Sequence, residues 1–193
     1  MSSQIHGAQH FDKSKRLEIK FSAEVMQIAQ TIINRYPEGK QKSALLPILH
    51  LAQAEFGGWL SPETMDYVAS ILKIKSIEVF EVASFYSMYN LKPMGKCILE
   101  VCQTSSCWLN GAEDIVKYIE KKLNIKVGET TKDGMFSLKV AECLGSCGTA
   151  PMLQCGASYH ENLTYEKVDA LLENYKSESK RKSYTDLDYK NTL

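Results

Sequence analysis

Between residues 21 and 90 the apolar positions recur three and four apart, the spacing of helices that bury one face. Val25, Ile28, Ala29, Ile32, Ile33 and Tyr36 form the first such stripe, with Ser22 as its N-cap and Pro37 as its stop. Leu45, Ile48, Leu49, Ala52 and Phe56 form a second, which ends at Gly57-Gly58 and carries Pro47 near its start. Ser61-Pro62 opens a third, an N-cap followed by proline at the first helical position, with Met65, Val68, Ala69 and Leu72 inward. The fourth is read with Ser76 as its cap and Val79, Val82, Ala83 and Tyr86 along its face. Four amphipathic helices with short connections predict a small helical bundle over residues 21–92, with these stripes as its core.

The pattern breaks across Asn90–Gly95, where Pro93 and Gly95 fall, and then changes period. Cys97, Leu99 and Val101 alternate as a strand does. Ala112, Ile115, Val116, Ile119 and Leu123 return to helical spacing. Asp133-Gly134 is a hairpin turn signal, and Phe136, Leu138 and Val140 alternate after it. Two short strands are predicted over 152–154 and 157–160, turning at Gly156, before a last helix with Val168, Leu171, Leu172 and Tyr175 inward. The order strand, helix, strand, strand, strand, helix makes a compact α/β layer over residues 93–177, and the whole chain is α+β. Residues 1–20 read as a polar arm and residues 178–193 as a polar, charged tail.

Charge narrows the function. The 193 residues hold 23 Lys and Arg against 23 Asp and Glu, so no basic excess points to nucleic acid or an anionic membrane surface. No apolar run approaches the roughly 20 residues that cross a bilayer, and the first residues show neither a secretory core nor an Arg-rich transit peptide. Membrane association is therefore expected only through partners, and six cysteines in such a chain point to a reducing compartment and to metal or redox chemistry.

Four of those cysteines stand in two words, Cys102-Gln-Thr-Ser-Ser-Cys107 and Cys143-Leu-Gly-Ser-Cys147, with 35 residues between them. Each word follows a predicted strand. Two such strands side by side deliver both loops to one end of a sheet, where four thiolates converge as a [2Fe–2S] cluster requires. The cluster with its thiolates carries about −2 charge, and one more when reduced, so nearby backbone N–H groups have to offset it. Gly145, Gly148, Thr104, Ser105 and Ser106 are small enough to let the backbone approach, and Gly148–Pro151 gives a rigid exit. Structural zinc also takes four cysteines, and C-x4-C with C-x3-C does not exclude it. A redox disulfide normally uses C-x-x-C, which neither word has. Single buried thiols are ordinary, but two spaced pairs after two strands are not. Cys97 and Cys155 read as packed residues, with Cys155 the reserve ligand.

The chain resembles a known family at these residues: the thioredoxin-like [2Fe–2S] subunit of the NADH-oxidising arm of respiratory complex I. Gly58–Glu63 (GWLSPE), Val82–Met88 (VASFYSM), Val101–Cys107 (VCQTSSC) and Glu142–Met152 (ECLGSCGTAPM) carry the resemblance, which runs over residues 21–175. It implies a helical N-terminal part followed by a thioredoxin-like domain, with Cys102, Cys107, Cys143 and Cys147 as ligands of one [2Fe–2S] cluster. It also implies a partner that binds FMN and NADH, other peripheral-arm subunits of complex I, and a cluster near the flavin but off the main route to quinone. The expected location is the cytoplasmic face of a bacterial inner membrane rather than the mitochondrial matrix.

The missing motifs agree with a subunit that does not transfer hydride itself. There is no G-x-G-x-x-G after a strand and no P-loop. His6, His10, His50 and His160 are scattered, no hydrolytic arrangement stands out, and His50 beside Leu49 and Leu51 reads as packing. C-x4-C without a close C-x2-C departs from plant-type ferredoxin. Two rivals remain at this point. One is the matching subunit of a soluble NAD-linked hydrogenase or formate dehydrogenase; the other is a non-redox interaction module held by structural zinc.

Overall fold

The computed structural model describes residues 19–177, so the tail expected over 178–193 and nearly all of the expected arm lie outside the described residues. Two hydrophobic cores organise the rest. The first belongs to α1 (Ala23–Ile33), α2 (Leu45–Glu55), α3 (Pro62–Leu72) and α4 (Ser76–Phe85). It is built on Ala29, Ile32, Ile48, Leu49, Leu60, Met65, Val68, Leu72 and Val79, all buried.

Local chemistry sets the helix ends. Ser22 Oγ accepts from Val25 N at 3.4 Å, and α1 stops at Ile33, four residues ahead of Pro37. A 3₁₀ turn over Gln41–Ala44 leads into α2 and places Pro47 in the first helical turn, where a missing N–H leaves no bond unmade. Gly57 and Gly58, both at φ +84°, close α2 in a conformation that side chains resist. Ser61 Oγ accepts from Thr64 N at 3.1 Å with Pro62 at the first position of α3. The expectation for α4 is corrected by one residue: Lys75, not Ser76, is the N-cap. Glu78, at the third helical position, reaches back to accept from Lys75 N at 2.9 Å, which makes Ser76 the first residue of the helix.

The second core lies on a four-stranded sheet in the order β2-β1-β3-β4, formed by β1 (Cys97–Cys102), β2 (Phe136–Ala141), β3 (Leu153–Cys155) and β4 (Ser158–His160). β1 runs parallel to β2, from Cys97 opposite Phe136 to Cys102 opposite Ala141. The crossover between them holds a one-turn helix that the pattern did not predict, α5 (Ser105–Leu109), and then α6 (Ala112–Leu123). β3 is antiparallel to β1, and β4 folds back on β3 at Gly156. Cys97, Leu99, Val101, Phe136, Leu138 and Cys155 pack with Ile115, Ile119, Val168 and Leu172 of α6 and α7 (Tyr165–Ser177). Asp133-Gly134 turns the chain as expected: Thr131 N donates to Phe136 O at 2.8 Å and Leu138 N to Glu129 O at 3.1 Å across it, with one bridge between Thr130 and Ser137 in place of a second full strand.

Polar groups fix the helical part to the other face of the sheet. Glu100 and Lys139, opposite one another on β1 and β2, pair at 2.9 Å. Lys139 Nζ also donates to Ser87 O at 2.8 Å and to Asn90 Oδ1 at 3.2 Å. Asn90 N in turn donates to Oε1 of the buried Gln53 at 2.7 Å, and Gln53 Nε2 donates to Met88 O at 3.1 Å. Every buried polar side-chain atom described has a partner, as a low-dielectric interior demands.

Candidate metal centre

Parallel pairing of β1 and β2 in register brings their C-terminal ends to one edge of the sheet. Cys102 is the last residue of β1, opposite Ala141 at the end of β2. Cys107 sits in α5, which begins three residues after Cys102, so this half of the site rests on a helical turn rather than on an open loop. Cys143 follows β2 by two residues, and Cys147 begins a 3₁₀ turn over Cys147–Thr149.

The two pairs differ in setting. Cys102 and Cys107 are 2% and 1% exposed and join the sheet core, whereas Cys143 and Cys147 are exposed. Cys143 Sγ and Cys147 Sγ stand 3.7 Å apart, far beyond the roughly 2.05 Å of a disulfide. The contact is of hydrogen-bonding length for two thiols, and two thiolates on one tetrahedral metal at about 2.3 Å would also lie about 3.8 Å apart. The thiols group two and two. Among the described residues, no three His, Cys, Asp or Glu side chains gather closely enough to hold a single ion.

Interactions cross between the pairs. Thr104, from the first word, hydrogen bonds to Cys102 Sγ at 3.3 Å and also bears on Cys143. Ser106 bears on Cys147, and the Leu144 backbone on Cys102. Burial pushes the Cys102 thiol up, but hydrogen bonds from Thr104, Leu144 and Cys107 outweigh it and leave Cys102 below the ordinary thiol range. Burial and the neighbouring Cys102 push Cys107 up to about 11. The Gly145 backbone and then Cys147 hold Cys143 below the ordinary range, and Cys147, beside Cys143, is raised. Backbone and hydroxyl donors beside these sulfurs fit an anionic iron–sulfur group, whose charge they would offset.

Of the small residues expected to admit the backbone, Gly145 has a structural reason: its φ is +82°. A Cβ on it would meet nothing within 4 Å, so its turn rather than crowding calls for glycine. Gly148 shows neither feature. Register sets the reserve ligand apart from the two words. Cys155 lies opposite Leu99, three residues or about 10 Å down β1 from Cys102, and it is buried in the core. Cys97, at the far end of β1, is about 17 Å from Cys102. His50 packs its ring against Tyr89 at 5.0 Å in the helical part.

Sequence reasoning missed the brace on the second word. Tyr159 Oη donates to Leu144 O at 2.7 Å, Asn162 N to Thr149 O at 2.7 Å and Leu163 N to Pro151 O at 2.9 Å. Nothing in the spacing of these residues announced that role. A cavity of about 840 Å³ lined by Lys92, Lys122, Asp133 and Phe136 opens at the other end of β2 and takes no part in the site.

Comparison with known proteins supplies the context. The family model of the thioredoxin-like [2Fe–2S] ferredoxins matches residues 29–176. An NADH-quinone oxidoreductase subunit from Rickettsia typhi is 45% identical over 163 residues, covering 84% of this chain and 96% of that protein. The protein named NADH dehydrogenase [ubiquinone] flavoprotein 2, mitochondrial, from Dictyostelium discoideum is 39% identical over 166 residues, covering 86% and 67%. A chain of the NAD+-reducing [NiFe]-hydrogenase, solved in its H2-reduced state, superposes with a TM-score of 0.61 at 18% identity, over 70% of this chain and 22% of that one. This last likeness concerns the fold.

Proposed function

This chain belongs to the thioredoxin-like [2Fe–2S] ferredoxin family, and from that premise we propose that it is the electron-transfer subunit beside the flavin subunit of a respiratory NADH:quinone oxidoreductase. Cys102, Cys107, Cys143 and Cys147 would hold its [2Fe–2S] cluster, four thiolates being the ligand set such a group takes. The observation that carries the reading is the convergence of both cysteine words at one edge of the sheet, through the parallel register of β1 and β2. When bound, the cluster takes up and returns one electron at a time.

The chain's own residues hold the group and set its surroundings. The buried Cys102 and Cys107 would anchor it at the sheet core, and the exposed Cys143 and Cys147 would hold its solvent side, the side open to another subunit. The Gly145 and Leu144 backbone and the Thr104 and Ser106 hydroxyls face the sulfurs. FMN and NADH belong to the partner, and hydride transfer takes place there. No helix among the described residues is long and apolar enough to cross a membrane, and the chain joins a peripheral arm on the cytoplasmic face through its partners. The relatives named as parts of an NADH-quinone oxidoreductase support the quinone-linked complex over the hydrogenase, whose likeness is one of fold.

The test is iron, zinc and acid-labile sulfide content of anaerobically purified chain, with EPR after dithionite reduction. The expected result is about two irons and two sulfides per chain with an S = 1/2 signal. One zinc with no sulfide and no signal overturns the reading in favour of a structural-zinc module.

A further inference from the structure

We infer that Glu161 is a positioning residue for the second cysteine word: its carboxylate holds the Ser146 and Thr149 hydroxyls and so fixes the backbone that faces the cluster. The inference rests on the cluster reading above. Glu161 follows β4 directly and lies 14 residues beyond Cys147, so only the fold brings it to the site.

One carboxylate oxygen gathers the contacts. Thr149 Oγ1 donates to Glu161 Oε1 at 2.6 Å, and Ser146 Oγ donates to the same oxygen. The two hydroxyls are 2.6 Å from each other, and Thr149 Oγ1 is 3.1 Å from Ser146 O. Ser146 is the residue before Cys147, and Thr149 ends the 3₁₀ turn that Cys147 begins. The carboxylate therefore clamps both ends of the turn that carries an exposed ligand. The neighbouring Asn162 N to Thr149 O and Leu163 N to Pro151 O bonds keep the segment after β4 alongside the same turn. The hydroxyls hold Glu161 below the usual carboxylate range, so it is ionised at neutral pH.

Two consequences separate positioning from a plain charge effect. A hydrogen-bonding side chain of the same length preserves the clamp without the charge, whereas truncation loses both. With the full chain carrying its cluster, Glu161→Ala is expected to speed chelator bleaching of the visible absorbance about tenfold, the scale of a lost charged hydrogen bond. It is also expected to alter the EPR g-values and to raise the midpoint potential. Glu161→Gln restores the wild-type bleaching rate and g-values, while its potential stays raised, because removing a negative charge eases reduction. Amide hydrogen exchange at residues 144–149 should follow the bleaching rates, fast in the alanine variant and slow in the glutamine variant. If Ala and Gln variants bleach and resonate alike, or if both match the wild type, the positioning role is wrong. In either case the wild-type iron, sulfide and EPR signal stand, so failure of this inference is distinct from failure of the cluster assignment.

Discussion

Cys143 and Cys97 carry the same thiol in opposite surroundings, one exposed at the sheet's edge and one inside its core. Cys143→Ser is expected to lower cluster content by more than about tenfold, since changes beyond the ligands alone cost 10–100-fold in affinity. Cys97→Ser should leave iron and sulfide unchanged; loss there with retention in Cys143→Ser overturns the ligand assignment. His50 gives a test away from the site. Burial lowers its pKa below the ordinary value of 6.5, so the fold favours the neutral ring. The stability it contributes is complete above that value and is lost as pH falls through 6.5 toward the folded value. Urea midpoints measured from pH 7.5 to 5 should fall more in the wild type than in His50→Gln. At this scale the four candidate cysteines stood out because thiol pairs at fixed spacing are rare outside metal chemistry. Glu161 and Tyr159 were not, because a carboxylate and a phenol carry no such signature until β4 folds back onto the turn.

Helices with strong end signals were legible as elements. Ser22 and Ser61 cap where a hydroxyl before an apolar stripe predicts, and Gly57-Gly58 ends α2. The exceptions have physical causes. Five residues of α5 are too few to show a period, and the cap of α4 was displaced by Glu78 reaching back to Lys75. The connection between helices and sheet left no pattern, since its groups lie far apart in the chain: Gln53, Asn90, Glu100 and Lys139. Gln53→Leu leaves the Asn90 N–H and Met88 carbonyl without that amide and should cost about 1–3 kcal/mol in urea unfolding. Gly95 is the tight point on the way to β1, where a Cβ would come within 2.9 Å of the Phe136 backbone carbon. Gly95→Ala should cost about 1–3 kcal/mol by overpacking, and a change within experimental error would show that this crossing can give.

The whole molecule leaves large apolar side chains in solvent: Phe85 is 79% exposed, Leu109 75%, Ile77 60% and Trp108 59%. Phe85 meets the ring of its neighbour Tyr86 and is otherwise mostly in solvent, so Phe85→Ser should shift the unfolding free energy by no more than about 0.5 kcal/mol. The same change should reduce self-association of the isolated chain in sedimentation; a large stability loss would mean that Phe85 packs internally. The parallel register of β1 and β2 has a consequence for kinship. The sheet, and not the 35 residues between Cys107 and Cys143, sets where the two words meet. That intervening crossover can grow or shrink in a lineage without displacing a sulfur, provided it still delivers β2 beside β1. The inheritable signature is thus two short phrases with an elastic gap, and a search that fixes the gap will overlook true cousins.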